Sequence, residues 1–192
     1  MMDAEPRDPV SLALRDAYRR ADKPMQAQLD VTYRCELACL HCYLDNRETW
    51  PEMTTSEWLT VLQQLADLGV YHLTWSGGDP LQRADLIDLL RAGAQLGFRH
   101  GLRTHAMAVT AEIAVQLAAC NVVSARVSVY SLREAIHDRM TTGPGSLAAT
   151  LRGIDELVAV GVDESADIFV LADAVEEIPA IAAYFAERGV QA

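Results

Sequence analysis

Helix stop signals recur along this chain, and they constrain its fold more than any other feature of the sequence. Apolar residues at helical spacing run up to a residue that tolerates the left-handed backbone conformation, as expected at the end of a helix. These stops are Gly69, Gly97, Asn121, Gly161 and Gly189, and their residue numbers differ by 28, 24, 40 and 28. Such spacing predicts a supersecondary unit that repeats along the chain.

Short apolar runs that suit buried strands lie between the predicted helices. Strands are predicted at 28–32, 71–75, 98–104, 122–130 and 168–171, and helices at 9–20, 54–68, 85–96, 110–120, 146–160 and 178–188. Strands that alternate with helices of roughly 10 to 15 residues favour parallel βα units, and right-handed crossovers place the helices outside a curling sheet. The predicted fold class is α/β, a parallel (βα) partial barrel with about five of six βα units, and Val190 begins a predicted sixth strand.

Charge and hydropathy exclude several classes of function. The chain has 16 Lys and Arg against 27 Asp and Glu, a formal net charge of −11, which opposes binding to nucleic acid or an anionic membrane because such affinity depends on neutralising phosphates. The longest uncharged apolar stretch, 113–125, is too short and too polar to cross a bilayer, and the first residues lack the apolar core of a secretory signal. We therefore expect a cytoplasmic protein without a nucleic-acid or membrane partner.

Three of the four cysteines fall within eight residues, after the first predicted strand. Cys35, Cys39 and Cys42 have C-x3-C-x2-C spacing, and crowded cysteines in a reducing compartment favour metal ligation over disulfides. In a loop, this spacing lets three thiolates surround one compact centre, which suits a 4Fe-4S cluster with one open iron. A tetrahedral zinc site that adds His41 to the three thiolates is the alternative. The fourth cysteine, Cys120, ends an apolar helix and is expected to be a buried packing residue.

Residues beyond the cysteines resemble the radical S-adenosylmethionine (radical SAM) superfamily. Tyr43 completes the family's C-x3-C-x2-C-aromatic signature, and residues 76–80 read Ser-Gly-Gly-Asp-Pro, similar to the family's Gly-Gly-Glu-Pro motif with Asp79 in place of Glu. Further along, Thr104 and Ser128 match strand positions at which the family has polar cofactor contacts. The resemblance covers about residues 25–191.

This resemblance implies an enzyme with two cofactors. A radical SAM protein holds a 4Fe-4S cluster on its three cysteines and S-adenosylmethionine on the open iron, and reductive cleavage yields a 5′-deoxyadenosyl radical that abstracts hydrogen from the substrate. The segment 128–157 is similar to the subgroup with a C-terminal SPASM domain, whose members often modify ribosomally made peptides. A peptide is therefore the implied substrate, with a tetrapyrrole or quinone-cofactor precursor as the alternative. The implied cofactor-binding residues are Tyr43, Ser76, Gly77, Gly78, Asp79, Pro80, Thr104, Ser128 and Arg139.

The long interval of 40 residues contains an insertion at 131–145, after the fourth predicted strand. Loops that follow the strands build the active site of βα barrels, so this insertion, the cysteine loop and the Gly-rich stretch are expected to meet at one rim.

Within the insertion, Arg139 is the candidate for binding the cofactor carboxylate, because a guanidinium matches that group in shape. His137 could face substrate, but a surface position beside Asp138 is the favoured interpretation. The glycines and proline at 143–145 predict a turn before an N-cap at Ser146.

The predicted domain organisation is an N-terminal extension and helix at 1–24, followed by a radical SAM core at 25–192 that is incomplete at its C-terminal end. A sheet that ends at the fifth strand exposes an unpaired edge, so a fragment, a split enzyme and a partner chain that completes the barrel all remain open. The resemblance also implies a flavodoxin-type or ferredoxin-type electron donor and a peptide or small-molecule substrate. The alternative function is a non-catalytic metal-binding or partner-binding module.

Overall fold

Five parallel strands form one open sheet, and their order across the sheet follows their order in the chain. The computed structural model describes residues 9–44 and 51–191. The strands are β1 Gln26–Thr32, β2 His72–Gly77, β3 Arg99–Thr104, β4 Val122–Val129 and β5 Asp163–Ile168. The helices are α1 Pro9–Arg20, α2 Thr55–Asp67, α3 Leu86–Gln95, α4 Ala111–Ala119, α5 Glu134–Thr141, α6 Ser146–Ala159 and α7 Ile178–Ala186. This arrangement is the predicted α/β partial barrel.

Local capping accounts for the positions at which the helices begin and end. Thr54 and Glu57 form a capping box at α2, in which each side chain accepts a hydrogen bond from the other residue's backbone amide. After α4, Asn121 has a φ of +61°, and its side-chain amide donates to the Phe98 carbonyl at 2.6 Å. All five predicted stop residues have positive φ, so the predicted helix ends are confirmed.

The fifth strand lies earlier in the chain than the sequence pattern indicates. β5 ends at Ile168, so the prediction of a strand at 168–171 is wrong. Phe169 and Val170 are exposed, and the apolar run that suggests a strand there is therefore not a buried one. The segment that forms β5 is mostly polar, and its sequence gives little strand signal.

A parallel bridge continues the sheet beyond β5. The Gln191 carbonyl accepts a hydrogen bond from the Ala166 amide at 2.7 Å, and Gln191 pairs with Ser165. This contact lies where the sequence predicts the start of a sixth strand.

The hydrophobic core lies between the sheet and its helices. Leu73 and Trp75 of β2 are fully buried, as are Leu62 of α2 and Leu89 of α3. Trp75 donates its indole N–H to Nδ1 of His100 at 3.0 Å, and burial lowers the pKa of His100 to about 4, which keeps the imidazole a neutral acceptor. Cys120 is also buried in this core, as its position on an apolar helix predicts.

The opposite, inner face of the sheet is polar. Gln28 and Asp30 alternate with buried Leu29 and Val31 along β1, and β3 and β4 alternate in the same way. Because successive side chains of a strand point to opposite faces, the core occupies one side of the sheet and polar groups occupy the other. Among the described helices, none is both long enough and apolar enough to cross a membrane.

Candidate functional site

A cavity of about 530 Å³ opens at the carboxyl ends of the strands. Its wall includes Cys35, Cys39 and Cys42, all partly accessible to solvent. Residues that follow β1, β2, β3 and β4 line the same cavity. The structure therefore brings the cysteine loop, the Gly-rich turn and the end of the 131–145 insertion to one rim of the sheet.

The Gly-rich turn after β2 supports the start of the cysteine loop through the backbone. The Gly78 amide donates to the Thr32 carbonyl at 2.8 Å, and the Asp79 amide donates to the Arg34 carbonyl at 2.9 Å. A Cβ atom at Gly77 would lie 2.1 Å from the Thr32 oxygen, and one at Gly78 would lie 2.2 Å from the Arg34 oxygen. Both glycines are therefore required for the close approach of two backbone segments.

Helix α5, inside the 131–145 insertion, supports the middle of the cysteine loop. The Met140 carbonyl accepts from the Leu40 amide at 2.9 Å, and the Thr141 carbonyl accepts from the Ala38 amide at 3.3 Å. The cysteine loop thus docks on the last turn of a helix that lies about 100 residues further along the chain.

Glu52 organises the segment between β1 and the first cysteine. Its carboxylate accepts hydrogen bonds from the Thr32 hydroxyl at 2.6 Å, the Tyr33 amide at 3.0 Å and the Arg34 guanidinium at 2.8 Å. Partial burial alone would raise the pKa of Glu52, but these hydrogen bonds outweigh it and lower the pKa to about 2. No sequence motif identifies this residue, because its partners are 18 to 20 positions away.

Asp79 joins the turn after β2 to the end of β3. Its side chain is fully buried and accepts hydrogen bonds from the Leu81 amide at 2.9 Å, the Thr104 hydroxyl at 2.6 Å and the His105 amide at 2.9 Å. The carboxylate is thus occupied by groups of the protein. The predicted cofactor contact of Asp79 stays a prediction.

His105 is a buried site residue that no sequence motif identifies. Its Nε2 atom lies within ion-pair distance of a Glu36 oxygen, at 3.2 Å, and of an Asp79 oxygen, at 3.0 Å, but it makes no hydrogen bond of regular geometry with a described residue. Burial would lower the pKa of His105, but the neighbouring Cys35, Glu36 and Asp79 raise it. An underused N–H donor therefore lies beside the first cysteine.

His41 has protein partners of its own within the cavity. Its Nε2 atom lies 2.7 Å from the Tyr130 hydroxyl, and its ring stacks on Phe169 with centroids 4.4 Å apart. Burial raises the pKa of Tyr130, so its hydroxyl stays protonated and can donate to the imidazole. The contacts of His41 are those of an aromatic cluster.

His137 is buried, so the favoured prediction of a surface position is wrong. The Tyr130 amide donates to its Nδ1 atom at 3.3 Å, and burial lowers the pKa of His137 to about 4.

Asp138, the next residue, accepts hydrogen bonds from the Gly145 and Leu147 amides and from the Ser146 hydroxyl. Gly145, rather than the predicted Ser146, is the N-cap of α6, and Asp138 supplies the carboxylate that a capping side chain would provide.

The structure places most of the predicted cofactor-binding residues at the cavity. The residues that line it together with the three cysteines are Tyr43, Ser76, Gly77, Gly78, Thr104 and Ser128. Asp79 and Pro80 are buried and do not line it. Arg139 lies apart from the cavity and pairs with Asp173 on the protein surface, whereas two other arginines, Arg103 and Arg126, line the cavity.

The arrangement of thiols fits a multinuclear centre better than a single zinc ion. Zn–S bonds of about 2.3 Å in a tetrahedral site bring sulfur atoms to about 3.8 Å from one another. Within the described part of the chain, the three cysteines and His41 do not form a group whose ligand atoms all lie within 4.8 Å of one another, whereas Cys35, Glu36 and His105 do. A 4Fe-4S cluster does not require such a group, because each thiolate binds a different iron. The N–H of His105, which makes no hydrogen bond of regular geometry with a described residue, also fits a neighbouring thiolate ligand.

Comparison with known proteins agrees with this site. The family model described as the Radical SAM superfamily matches residues 29–184. The PqqA peptide cyclase of Bradyrhizobium diazoefficiens is 33% identical over 119 residues, which cover 61% of this chain and 31% of that protein. The AdoMet-dependent heme synthase of Oleidesulfovibrio alaskensis is 32% identical over 136 residues, which cover 70% of this chain and 35% of that protein. Mycofactocin maturase MftC of Mycolicibacterium smegmatis is 26% identical over 183 residues, which cover 94% of this chain and 46% of that protein.

Solved structures share the fold. The crystal structure of Streptococcus suis SuiB bound to precursor peptide SuiA superposes with a TM-score of 0.77 at 18% identity, covering 99% of this chain and 45% of that one. SuiB bound to S-adenosylmethionine gives a TM-score of 0.74 at 16% identity, and the superposition covers 98% of this chain and 44% of that one. The chain spans between about a third and just under a half of the length of these similar proteins.

Proposed function

Because the chain belongs to the radical SAM superfamily, we propose that it is the core of a radical SAM enzyme that modifies a peptide. The observation that carries this proposal is the convergence of Cys35, Cys39 and Cys42 on one cavity that the Gly-rich turn also lines. Similarity to a peptide cyclase, to a maturase and to a structure bound to a precursor peptide supports a peptide substrate. An electron donor of the flavodoxin or ferredoxin type and a cytoplasmic location belong to the same proposal.

The three cysteines would hold a 4Fe-4S cluster, which together with S-adenosylmethionine supplies a 5′-deoxyadenosyl radical for hydrogen abstraction. The role of the protein is to bind and orient the reactants. Tyr43, Ser76 and Ser128 present an aromatic ring and two hydroxyl groups to the cavity that the thiols line, and we assign them to the cofactor. The turn at Gly77 and Gly78 and helix α5 keep the cysteine loop in place through backbone hydrogen bonds.

The test is anaerobic reconstitution with iron and sulfide, followed by reduction with S-adenosylmethionine present and quantification of 5′-deoxyadenosine. We expect about four irons per chain and production of 5′-deoxyadenosine, both abolished in Cys39→Ala. Cys120→Ala is the matched control, because this cysteine is buried away from the site and its loss should leave the iron content unchanged. A cluster that forms without cofactor cleavage would contradict the enzyme assignment for this chain.

A mononuclear metal-binding module is the second candidate. It is favoured by the compact group of Cys35, Glu36 and His105, whose ligand atoms lie within 4.8 Å of one another. A single zinc ion that survives His41→Ala and is lost in Glu36→Gln would support this candidate. Zinc lost in His41→Ala would instead indicate a site made of the three cysteines and that histidine.

A further inference from the structure

Three charged residues and one serine form a row across the inner face of the sheet. Asp30 of β1 pairs in register with Ser76 of β2, and Arg103 of β3 pairs in register with Arg126 of β4. Because Trp75 is in register with the residue before Arg103, Ser76 and Arg103 occupy the same level of the sheet. All four residues of this row line the cavity that the cysteines also line.

The two arginines of the row differ in their partners. Arg126 directs Nε and Nη2 to one oxygen of Asp167 on β5, at 3.0 and 2.5 Å. Arg103 is exposed to the cavity, and among the described residues it makes no hydrogen bond or ion pair. Asp30 contacts Gln28 at 3.2 Å and is not within ion-pair distance of a described cation. Within the described ranges, the cavity thus contains a guanidinium that has no ion-pair partner, beside a second arginine.

We propose that Arg103, assisted by Arg126, binds a carboxylate group of the peptide substrate. This inference rests on the proposed function and specifies its substrate class. Like charges directly opposite each other on neighbouring strands destabilise a sheet, and an anion between the two guanidinium groups removes that cost. A planar guanidinium also matches a carboxylate with two parallel hydrogen bonds.

The position of the pair favours the substrate over the cofactor as the source of the carboxylate. Arg126 lies two residues before Ser128 along β4, so it is deeper in the sheet than this hydroxyl group, which we assign to S-adenosylmethionine, and Arg103 lies level with Arg126 on β3. Asp167 fixes the orientation of Arg126, which leaves Arg103 to respond to the ligand. A peptide supplies this carboxylate from an acidic side chain or from its C-terminus.

Arginine-selective NMR tests the site without requiring turnover. The cluster-reconstituted protein, labelled with ¹⁵N-arginine and saturated with S-adenosylmethionine, is titrated with glutarate at constant ionic strength, and glutaramide is the neutral control. We expect glutarate to shift the Nε signals of Arg103 and Arg126 and glutaramide to leave them unchanged. Arg91, an exposed arginine paired with Asp88 on α3, reports any general effect of the anion.

Variants complete the test. Arg103→Gln should raise the dissociation constant of glutarate by roughly ten- to a hundredfold, as expected for loss of a charge-assisted hydrogen bond. The constant is obtained in this variant from the shift of the Arg126 Nε signal. Arg91→Gln should leave it unchanged. The tripeptides Ac-Ala-Glu-Ala-NH2 and Ac-Ala-Ala-Ala-OH then distinguish a side-chain carboxylate from a terminal one, with Ac-Ala-Gln-Ala-NH2 as the uncharged reference.

Two results would overturn the inference. If S-adenosylmethionine itself shifts the Arg103 signal and glutarate then has no effect, the pair binds the cofactor carboxylate. If glutarate shifts Arg91 as much as Arg103, the cavity has no specific carboxylate site. Failure of the proposed function is separate, because a cluster-loaded protein that binds S-adenosylmethionine but produces no 5′-deoxyadenosine can still be titrated with glutarate.

Discussion

The hydroxyl of Thr104 donates a hydrogen bond to the carboxylate of Asp79 at 2.6 Å, so two predicted cofactor-binding residues are hydrogen-bonded to each other. The same carboxylate oxygen accepts from the His105 amide at 2.9 Å. Through these bonds, the turn after β2 is tied to the end of β3 beneath the cavity. The pair therefore supports the geometry of the site.

Replacement of this carboxylate should destabilise the fold. Asp79→Ala leaves the Thr104 hydroxyl and two backbone amides without their charged acceptor in a buried location, and we expect a loss of about 3 kcal/mol in the free energy of unfolding. Urea denaturation measures the loss. Asp88→Ala, which removes an exposed ion pair with Arg91, should have little effect. Equal stability of the two variants would contradict the supporting role of Asp79.

The close contact between Gly78 and the cysteine loop predicts a specific effect of a single methyl group. In Gly78→Ala the new Cβ would lie 2.2 Å from the Arg34 carbonyl oxygen, so the loop that presents Cys35 must move. We expect a lower iron content after reconstitution and a lower unfolding midpoint. Gly189→Asn is the control, because Gly189 has φ +72°, a Cβ atom added there would meet nothing within 4 Å, and asparagine is the side chain that best tolerates the left-handed region. Full iron content in Gly78→Ala would show that the loop can adjust.

The N–H of His105 should tune the cluster. Hydrogen bonds to cluster sulfurs are among the determinants of reduction potential, and a ring nitrogen of His105 lies within 4.8 Å of the Cys35 sulfur. We expect His105→Leu to lower the midpoint potential, measured by an EPR-monitored redox titration without S-adenosylmethionine. His105→Gln retains an N–H donor and should lie closer to the original value. An unchanged midpoint in the leucine variant, at equal iron content, would rule out this role.

Glu52 should make the stability of the cluster-free protein depend on acid pH. The pKa of Glu52 is about 2 in the folded chain, below its usual value of 4.5, so its stabilising effect is present above about pH 4.5 and is lost as the pH falls towards 2. Glu52→Gln should lower the free energy of unfolding at pH 7 by about 1 to 2 kcal/mol. The difference between the two proteins should narrow below pH 4.5. A difference that is independent of pH would mean that the charge of Glu52 contributes nothing.

Most of the helices could be predicted because their signals are local. The capping box of Thr54 and Glu57 spans one turn, and the stop residues act on the helix directly before them. The strand at β5 could not, because its residues are mostly polar and an apolar run follows it. The sequence motif makes Arg139 a candidate for binding the cofactor carboxylate, but its side chain forms an ion pair with Asp173, which is 34 residues further along the chain.

The alternating βα architecture and the clustered cysteines can be recognised from the sequence, because both depend on residues a few positions apart. The hydrogen bond between Thr104 and Asp79, the place of His105 beside Cys35, and the position of Arg103 at the cavity next to Arg126 are known only from the folded structure. These relationships depend on which strands are neighbours and in what register. Strand order and register are set by packing of the whole sheet against its helices, and no local pattern encodes them.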